Sequence, residues 1–411
     1  MKYSDFKQPL TPGRLEPTVF MERGFGERGR DSRKVSGFGY VPFDLPAGVL
    51  SKDIAHDVQD VLLAAERNLS MLEGLACNLD NPTLLMGPFT QREAKHSSAI
   101  ENTFASAHQL ALFEMDPNAI EPDSRSEVRE VNNYVRALRY GFEAREPICL
   151  RLIRDMHRIL LDGVTRTAGQ PGEFRTTQNA IGDPTAPFEN AKFVPPPPRF
   201  LPGCLDSLER YIHDRSDLPP LVRFALVHYQ FESIHPFDDG NGRLGRLLIA
   251  LQLSKQAQLS LPLVYISSFL EQHRDDYYRL LYRVSAEGAW VDWIRFFLSA
   301  ISTQAHDALL RARKLIALRN DYQRQVQVKR ASAMLPRIVD ELFVNPAITV
   351  ARVCEVTGMH PPSAGKLVRV LEQKGIVKEA TGRNINRVFI AEEIVDVTNR
   401  TLDVPMQQEQ Q

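Results

Sequence analysis

One short stretch of the chain holds most of the side chains that could do chemistry. From His235 to Arg246 it contains a histidine, two aspartates, a Gly-Asn-Gly turn and two arginines, and an apolar run follows. Histidine is the side chain whose ordinary pKa lies near neutrality, so His235 is suited to take a proton from a hydroxyl. Asp239 offers the hard oxygen ligand that Mg²⁺ prefers. The residue types therefore indicate proton removal beside a bound phosphate.

The glycines and arginines of this stretch favour binding of a polyphosphate. Gly240, Asn241 and Gly242 have little bulk and suit a turn in which successive N–H groups converge on an anion. Arg243 and Arg246 are three residues apart, on one face of the helix that begins here. The apolar period of this helix predicts a buried side that anchors the turn, made of Leu244, Leu247, Leu248 and Leu251. No Lys-Ser/Thr follows the glycines, which excludes a Walker A loop.

Each feature of the stretch also has an ordinary explanation. A Gly-Asn-Gly is commonly a plain turn, and a histidine beside a proline is commonly structural. Asp238 and Asp239 are compatible with a solvated surface pair. Their coincidence with two arginines within twelve residues favours a phosphate site, because all of them would act on the same anion.

Residues 235–246, His-Pro-Phe-Asp-Asp-Gly-Asn-Gly-Arg-Leu-Gly-Arg, resemble the signature of the Fic family, H-x-F-x-D/E-G-N-G-R-x-x-R, at every specified position. The resemblance implies a helical core that uses ATP and Mg²⁺ to place AMP on a protein hydroxyl. It makes His235 the general base, Asp239 the metal ligand and Phe237 a buried anchor. The residues that it implies for ATP binding are Gly240, Asn241, Gly242, Arg243, Leu244, Gly245 and Arg246.

A segment upstream matches a second feature of that family. Ser97 and Glu101 are four residues apart and share one face of a helix predicted over 90–113, which by spacing alone is an ordinary amphipathic helix. Ser97, Glu101 and Asn102 also match the inhibitory pattern S/T-x-x-x-E-G/N of many Fic proteins. The resemblance implies that Glu101 competes with the γ-phosphate for Arg246. In some relatives the same glutamate helps water to remove AMP, so de-AMPylation is a second activity to consider.

Two further sites are implied by the resemblance. Residues 171–198 contain two short predicted strands around a Gly182-Asp183-Pro184 turn, closed by a polyproline run. They resemble the Fic flap, whose exposed edge holds a target protein by β-augmentation. Tyr278 corresponds to tyrosines that lie near the adenine in the family, although core packing explains the Tyr277-Tyr278 pair equally well.

The predicted fold class is all-α, a Fic-type helical core with a short β-hairpin flap and a small C-terminal winged helix-turn-helix domain. Residues 1–50 are rich in Pro, Gly, Arg and Glu without periodicity, which indicates an irregular extension. The remaining divisions are a helical region with the inhibitory helix (51–125), the catalytic core (126–310), a helical linker (311–330), the winged-helix domain (331–397) and a disordered tail (398–411).

The C-terminal domain is predicted as three helices followed by two strands. Residues 361–390 contain six basic and two acidic side chains, a local charge of +4. That charge is compatible with contact to DNA phosphates, and equally with a solvated helix face on a domain used for protein contacts. A homodimer is expected by family analogy alone.

Composition limits the class of protein. The formal net charge is -1, so the chain as a whole has no bias towards nucleic acid or a membrane surface. No run of eighteen apolar residues occurs, and the four cysteines lack CxxC spacing. We therefore expect a cytoplasmic protein that does not bind membranes and has neither a zinc site nor a disulfide framework.

Three classes of function stay open at this stage. The first is a protein adenylyltransferase restrained by its own helix, which the intact histidine, aspartate and arginines favour. The second is a DNA-binding regulator whose Fic core senses a nucleotide, and which would not need to keep a base. The third is a transferase of another phosphate-containing group, because the orientation of the nucleotide decides which group moves.

Overall fold

The computed structural model describes a mainly helical chain with two small antiparallel sheets. The described residues are 6, 10–25, 31–46, 54–78, 81–164, 169–182, 187–257, 259, 262–327 and 333–400. Within these ranges, no helix combines the length and the apolar character that crossing a membrane requires. The predicted all-α class is therefore right for the core and wrong for the N-terminal segment, which forms strands.

The elements of the N-terminal part are β1 (Gly13–Phe25), β2 (Asp31–Pro42), α1 (Ile54–Asp57), α2 (Gln59–Ala76), α3 (Met86–Ile100), α4 (Ala107–Met115), α5 (Arg125–Glu143) and α6 (Leu150–Leu160). The middle part contains α7 (Leu201–His213), α8 (Pro220–Ile234), α9 (Asn241–Lys255), α10 (Ser267–Gln272), α11 (Arg274–Glu287) and α12 (Trp290–Val326). The C-terminal part contains α13 (Leu335–Val344), β3 (Ala347–Thr349), α14 (Val350–Thr357), α15 (Pro361–Gln373), β4 (Lys378–Glu379), β5 (Val388–Ile390) and α16 (Glu392–Asn399).

Helices α8 and α12 lie at the centre of the core. Other helices pack against their apolar side chains. Along α12 the buried side chains recur at helical spacing, as in Trp293, Phe297 and Ile301. The indole N–H of Trp293 donates to the Ala225 carbonyl of α8 at 2.9 Å, which satisfies its one buried donor. Helices α8 and α9, which flank the predicted site, are therefore fixed by packing along their lengths.

The N-terminal segment was predicted to be irregular, and that prediction is wrong for residues 13–25 and 31–42, which form strands. Strands β1 and β2 pair in antiparallel register, with Thr18 opposite Gly37 and Phe20 opposite Val35. The face of the sheet that carries Phe20 and Val35 packs on residues 187–194. There Phe20 stacks on Phe188, with ring centroids 4.7 Å apart. The opposite face exposes apolar side chains, among them Val19, Met21 and Phe38. Because both faces carry apolar residues, the sequence lacks the polar alternation that marks a half-buried strand.

The helix predicted over 90–113 is two helices. The chain leaves helical geometry at Asn102, whose φ of 60° is left-handed, a conformation that asparagine tolerates better than most residues. A capping box then starts α4, since Ser106 Oγ accepts from the Gln109 N–H and the Gln109 side chain accepts from the Ser106 N–H. The segment containing Glu101 is thus a connection between two helices.

The flap is simpler than predicted. Within the described residues of the flap, one antiparallel bridge, between Ile181 and Phe193, takes the place of the two predicted strands. On its other side the flap meets the N-terminal hairpin, because the Tyr40 N–H donates to the Val194 carbonyl at 2.8 Å. The turn residues Asp183 and Pro184 lie outside the described residues.

The C-terminal unit, residues 335–399, contains the predicted helices and strands, together with β3 and α16. Its sheet has the order β3-β5-β4. The assignment as a winged helix-turn-helix stays a prediction. Residues 311–330, expected as a linker, begin inside α12, and the side chain of Arg311 donates to the Val397 and Thr398 carbonyls at the end of α16. Thr398 and Asn399, placed in a disordered tail, belong to α16, and residues 401–411 are outside the described ranges.

We expect Leu69→Ala to lower the free energy of unfolding by about 2–5 kcal/mol, because the side chain is 6% exposed in the core and its loss leaves a cavity. Leu63 lies on the same helix, is 56% exposed, and provides the matched control. Leu63→Ala should change the free energy by less than about 0.5 kcal/mol. Urea unfolding followed by circular dichroism measures both, and equal losses would mean that α2 is not packed as described.

Candidate active site

The candidate site lies in the loop between α8 and α9. His235 ends α8 in the left-handed region with φ 48°, and Gly240 precedes α9 with φ 77°. Asn241 holds the loop closed, because its Oδ1 accepts from the Phe237 N–H at 2.9 Å and its Nδ2 donates to the Phe237 carbonyl at 2.8 Å. The side chain of Asn241 therefore stabilises the loop, and the neighbouring glycines allow the chain to turn.

The hydrogen bond of the His235 ring fixes its tautomer. Nδ1 lies 3.3 Å from the backbone carbonyl of Glu232, and a carbonyl oxygen can only accept. Nδ1 therefore carries the proton, and Nε2 keeps a lone pair. Burial and the neighbouring Arg175 guanidinium lower the pKa of His235 to about 4. The ring is neutral at physiological pH and able to accept a proton at Nε2.

Two buried side chains that sequence reasoning missed hold this loop from outside the motif. Arg175 donates from Nε to the His235 carbonyl at 2.9 Å and from Nη2 to the Pro196 carbonyl at 2.7 Å, which ties the loop to the flap. His157 stacks on Phe237 with ring centroids 3.8 Å apart, and its Nε2–H donates to the Asp239 carbonyl at 2.9 Å. No local sequence pattern links either residue to the motif, because each is separated from it by a long stretch of chain.

Asp239 and Arg243 occupy one side of the loop. Asp239 Oδ1 accepts from the Gly240 N–H at 2.6 Å and lies 3.6 Å from Arg243 Nη2, and the Asp239 side chain is 40% exposed. Arg243 is buried and also faces Glu130 at 3.4 Å, another partner that the sequence did not indicate. No group of three or more His, Cys, Asp or Glu within the described residues could hold a metal by itself. A divalent ion here would need substrate oxygens beside the Asp239 carboxylate.

Arg246 is the most buried charge of the site, with 1% of its side chain exposed. Its Nε donates to Ser97 Oγ at 2.8 Å, and its Nη2 donates to the Ser97 carbonyl and to Glu101 Oε1, at 2.9 and 2.8 Å. Burial opposes the charge of both groups, but their mutual attraction outweighs it: the pKa of Glu101 is lowered and that of Arg246 is raised. Ser97, on the last turn of α3, and Glu101, the residue after that helix, both contact this guanidinium.

The Glu101 carboxylate also covers the glycine turn. A Cβ built on Gly242 would lie 2.3 Å from Glu101 Oε1, so the carboxylate rests against the backbone that was predicted to receive phosphate. Nη1 of Arg246 is buried and has no hydrogen-bond partner among the described residues. Glu101 therefore holds the place of an anion at this turn, while one donor of Arg246 remains unused.

The predicted adenine contact and the inhibitory asparagine lie at the edge of the site. Tyr278 is 40% exposed, and the Arg274 guanidinium lies over its ring at 5.8 Å. Tyr277 is buried, and its hydroxyl lies 2.8 Å from His228 Nε2, so only this member of the pair serves the core. Asn102 Oδ1 accepts from Arg274 Nη1 at 3.1 Å, which links the turn after α3 to α11.

The chain is similar to known proteins over the part that carries this site. Residues 147–253 match the family model described as Fic/DOC family, and residues 60–143 match the one described as Fic/DOC family N-terminal. The Protein adenylyltransferase Fic of Drosophila yakuba is 32% identical over 207 residues, covering 49% of this chain and 38% of that protein. Its counterpart in Aedes aegypti is 28% identical over 260 residues, covering 58% and 48%. The chain thus spans less than half the length of these relatives.

One solved structure is also similar to the chain. It is of a Fic family protein from Desulfovibrio desulfuricans G20, has a TM-score of 0.49 and 19% identity, and covers 83% of this chain and 96% of that one.

We expect the rings of His157, His228 and His235 to stay neutral from about pH 8 to about pH 5.5. Burial lowers their pKa values to about 4, 3 and 4. Because the folded state then binds protons less readily than the unfolded chain, acid should destabilise the fold as pH falls from about 6.5 to 4. Ring carbon–proton NMR shifts measure the titration, and a midpoint near 6.5 for His235 would contradict the burial described here.

Proposed function

We propose that the chain, whose residues 60–143 and 147–253 match the two Fic/DOC family models, is a protein adenylyltransferase that moves AMP from ATP to a Ser, Thr or Tyr hydroxyl of a target protein. One observation carries the proposal: His235, whose Nε2 is unprotonated, ends α8 before the glycine turn, and the buried Arg246 lies on α9 after it. A base and an anion site on one turn suit attack on a phosphorus atom.

In the proposed reaction the target hydroxyl gives its proton to His235 Nε2 as its oxygen forms a bond to the α-phosphorus of ATP. The bond from that phosphorus to the bridging oxygen breaks, and pyrophosphate leaves. Backbone N–H groups of residues 240–242, with Arg243 and Arg246, hold the phosphates, and Tyr278 contacts the adenine. Positioning and charge stabilisation supply most of the rate, because the loop is already fixed by Asn241.

We propose Mg²⁺ as the metal that accompanies ATP. Asp239 would hold it together with phosphate oxygens, since one or two carboxylates plus substrate phosphates are its usual ligands. When bound, the ion neutralises negative charge that develops on the phosphates during transfer. The exposed carboxylate of Asp239 at the start of the turn supports this assignment.

The flap is the proposed docking site of the target. Its segment Phe193–Val194 is bonded on one side to Ile181 and on the other to Tyr40 of the N-terminal hairpin. The edge near Asn179 is the better candidate for a target strand, because Asn179 Nδ2 donates to the Phe237 carbonyl and so lies next to the catalytic loop.

The inhibitory segment, residues 97–106, restrains this activity in the proposed function. Glu101 occupies the place of a phosphate on Gly242 and forms a charge-assisted pair with Arg246. ATP that enters a site closed in this way cannot place its γ-phosphate on Arg246. Its α-phosphate is then out of line with the attacking hydroxyl.

Glu101→Gly should raise AMP transfer roughly ten- to a hundredfold, since a hydrogen bond to a charged group contributes about 1.5–3 kcal/mol. The measurement is incorporation of label from α-labelled ATP into the chain itself and into proteins of a cell extract. Glu121→Gly, at an exposed position outside the helices, is the matched control and should behave like the unchanged protein. Equal incorporation by both variants would contradict inhibition by Glu101.

His235→Ala, made in the Glu101→Gly variant, should lower transfer by about 10²–10⁴-fold and leave ATP binding intact, because it removes the base and none of the phosphate contacts. His213→Ala, at the exposed end of α7, is the control. Label from the α position identifies AMP transfer, whereas label from the γ position identifies phosphorylation. Incorporation of neither label by the Glu101→Gly variant would favour a nucleotide sensor, and loss of ATP binding would assign His235 a structural role.

A further inference from the structure

Helices α3 and α4, which flank Glu101, lie between the core and the C-terminal unit. We propose that the C-terminal unit holds the inhibitory segment in its closed position and thereby restrains AMP transfer. This inference rests on the proposed function, because it assumes that Glu101 inhibits. It adds the part of the chain that keeps Glu101 in place.

The first contact is at the start of α3. A Cβ built on Gly87 would lie 1.8 Å from the carbonyl oxygen of Val344, the last residue of α13. Such a distance is impossible for a real Cβ, so only glycine at position 87 allows the two backbones to approach this closely. The end of α13 is therefore pressed directly against the first turn of the inhibitory helix.

The second contact is a partly buried carboxylate on α4. Glu114 Oε2 accepts from Gln91 Nε2 of α3 at 2.8 Å and from Asn345 Nδ2 of the C-terminal unit at 2.6 Å. Its Oε1 lies 3.6 Å from Arg139 of α5. Asn345 is itself fixed, because its Oδ1 accepts from the Ala347 N–H of β3 at 2.9 Å. Through Glu114, the C-terminal unit is bonded to both helices of the inhibitory region at once.

The third contact is apolar. Ala111 of α4 is fully buried against the C-terminal sheet and α16, in a cluster that contains Ala347, Val388, Ile390 and Val395. A small side chain at position 111 lets the helix lie directly on the sheet. Removing the sheet would expose this face of α4 to water, so the C-terminal unit stabilises the position of α4.

The outer rim of the same contact is polar and reaches solvent. Arg383, in the loop between β4 and β5, pairs with Asp116 at the end of α4 at 2.7 Å. This pair lines a groove of about 890 Å³ between α15, that loop and residues 115–118. It offers a place where the contact can be weakened without removing buried atoms.

The connection that carries Glu101 has little freedom as long as both helices stay fixed. The Asn102 N–H donates to the Ala99 carbonyl, the Thr103 N–H donates to the Ser98 carbonyl, and Ser106 starts α4. A shift of α4 away from the core would stretch this short connection and draw Glu101 from Arg246. A change in the C-terminal contacts would therefore move Glu101 through the few residues that connect α3 to α4.

The test uses the full chain with Arg383→Glu, which repels Asp116, and Asn345→Ala, separately and together. Each single variant should raise transfer of α-labelled AMP roughly two- to tenfold, since one hydrogen bond contributes about 0.5–1.5 kcal/mol. Arg387→Glu makes the same charge change at an exposed position of the same loop and should leave transfer unchanged. Arg383→Glu combined with Asp116→Arg restores an ion pair and should return transfer to the original rate.

The Glu101→Gly background separates this inference from the proposed function. If the contacts act through Glu101, neither variant should raise transfer further in that background, and transfer there should stay high, which excludes unfolding. The inference is wrong if either variant raises AMP transfer further in the Glu101→Gly background. It is also wrong if neither variant changes transfer in the original chain while Glu101→Gly raises it. Both results leave the proposed function unaffected. If Glu101→Gly itself does not change AMP transfer, Glu101 does not inhibit, and the inference is wrong as well.

Hydrogen exchange gives a readout that does not depend on transfer. The amides of Glu101, Asn102 and Thr103 should exchange at least about threefold faster in Arg383→Glu and Asn345→Ala than in the unchanged chain and in Arg387→Glu. Unchanged protection of these amides would mean that the C-terminal unit does not hold the segment, which overturns the inference.

Discussion

The buried guanidinium of Arg246 must have an anionic partner, and the structure around the site is arranged to provide one. A charge with 1% of its side chain exposed has lost its hydration and is tolerated only when it is paired. In this chain the partner is Glu101, supported by the hydroxyl and carbonyl of Ser97. Under the proposed function, a nucleotide phosphate takes over the same role. Inhibition and substrate binding then compete for one physical requirement.

This competition needs a loop that does not move when the partner changes. Asn241 closes the loop on Phe237, Arg175 holds the carbonyl of His235, and His157 holds that of Asp239. His235 and the glycine turn are therefore already ordered before a ligand binds. The entropy lost in ordering them is part of the free energy of folding and does not oppose binding. Under the proposed function, the part that moves is the connection from α3 to α4 that carries Glu101, which is separate from the loop between α8 and α9.

The peripheral elements fit this division. The N-terminal hairpin packs on the flap and occupies one side of Phe193–Val194, which restricts where a target chain can pair. The C-terminal unit packs on α3 and α4, the two helices on either side of Glu101. One peripheral element thus lies beside the proposed docking edge, and the other lies beside the proposed inhibitory segment.

The sequence by itself indicated the polar loop between α8 and α9 and most helices, because helical period, caps and turns depend on neighbouring residues. It misjudged residues 13–25 and 31–42, which form strands with apolar side chains on both faces, and the end of α3, where one left-handed asparagine breaks the helix. Only the tertiary structure decided that Glu101 meets Arg246, 145 positions away, and that Arg175, His157 and the C-terminal unit hold the parts in place. Such contacts arise from the packing of whole helices, which no local pattern encodes.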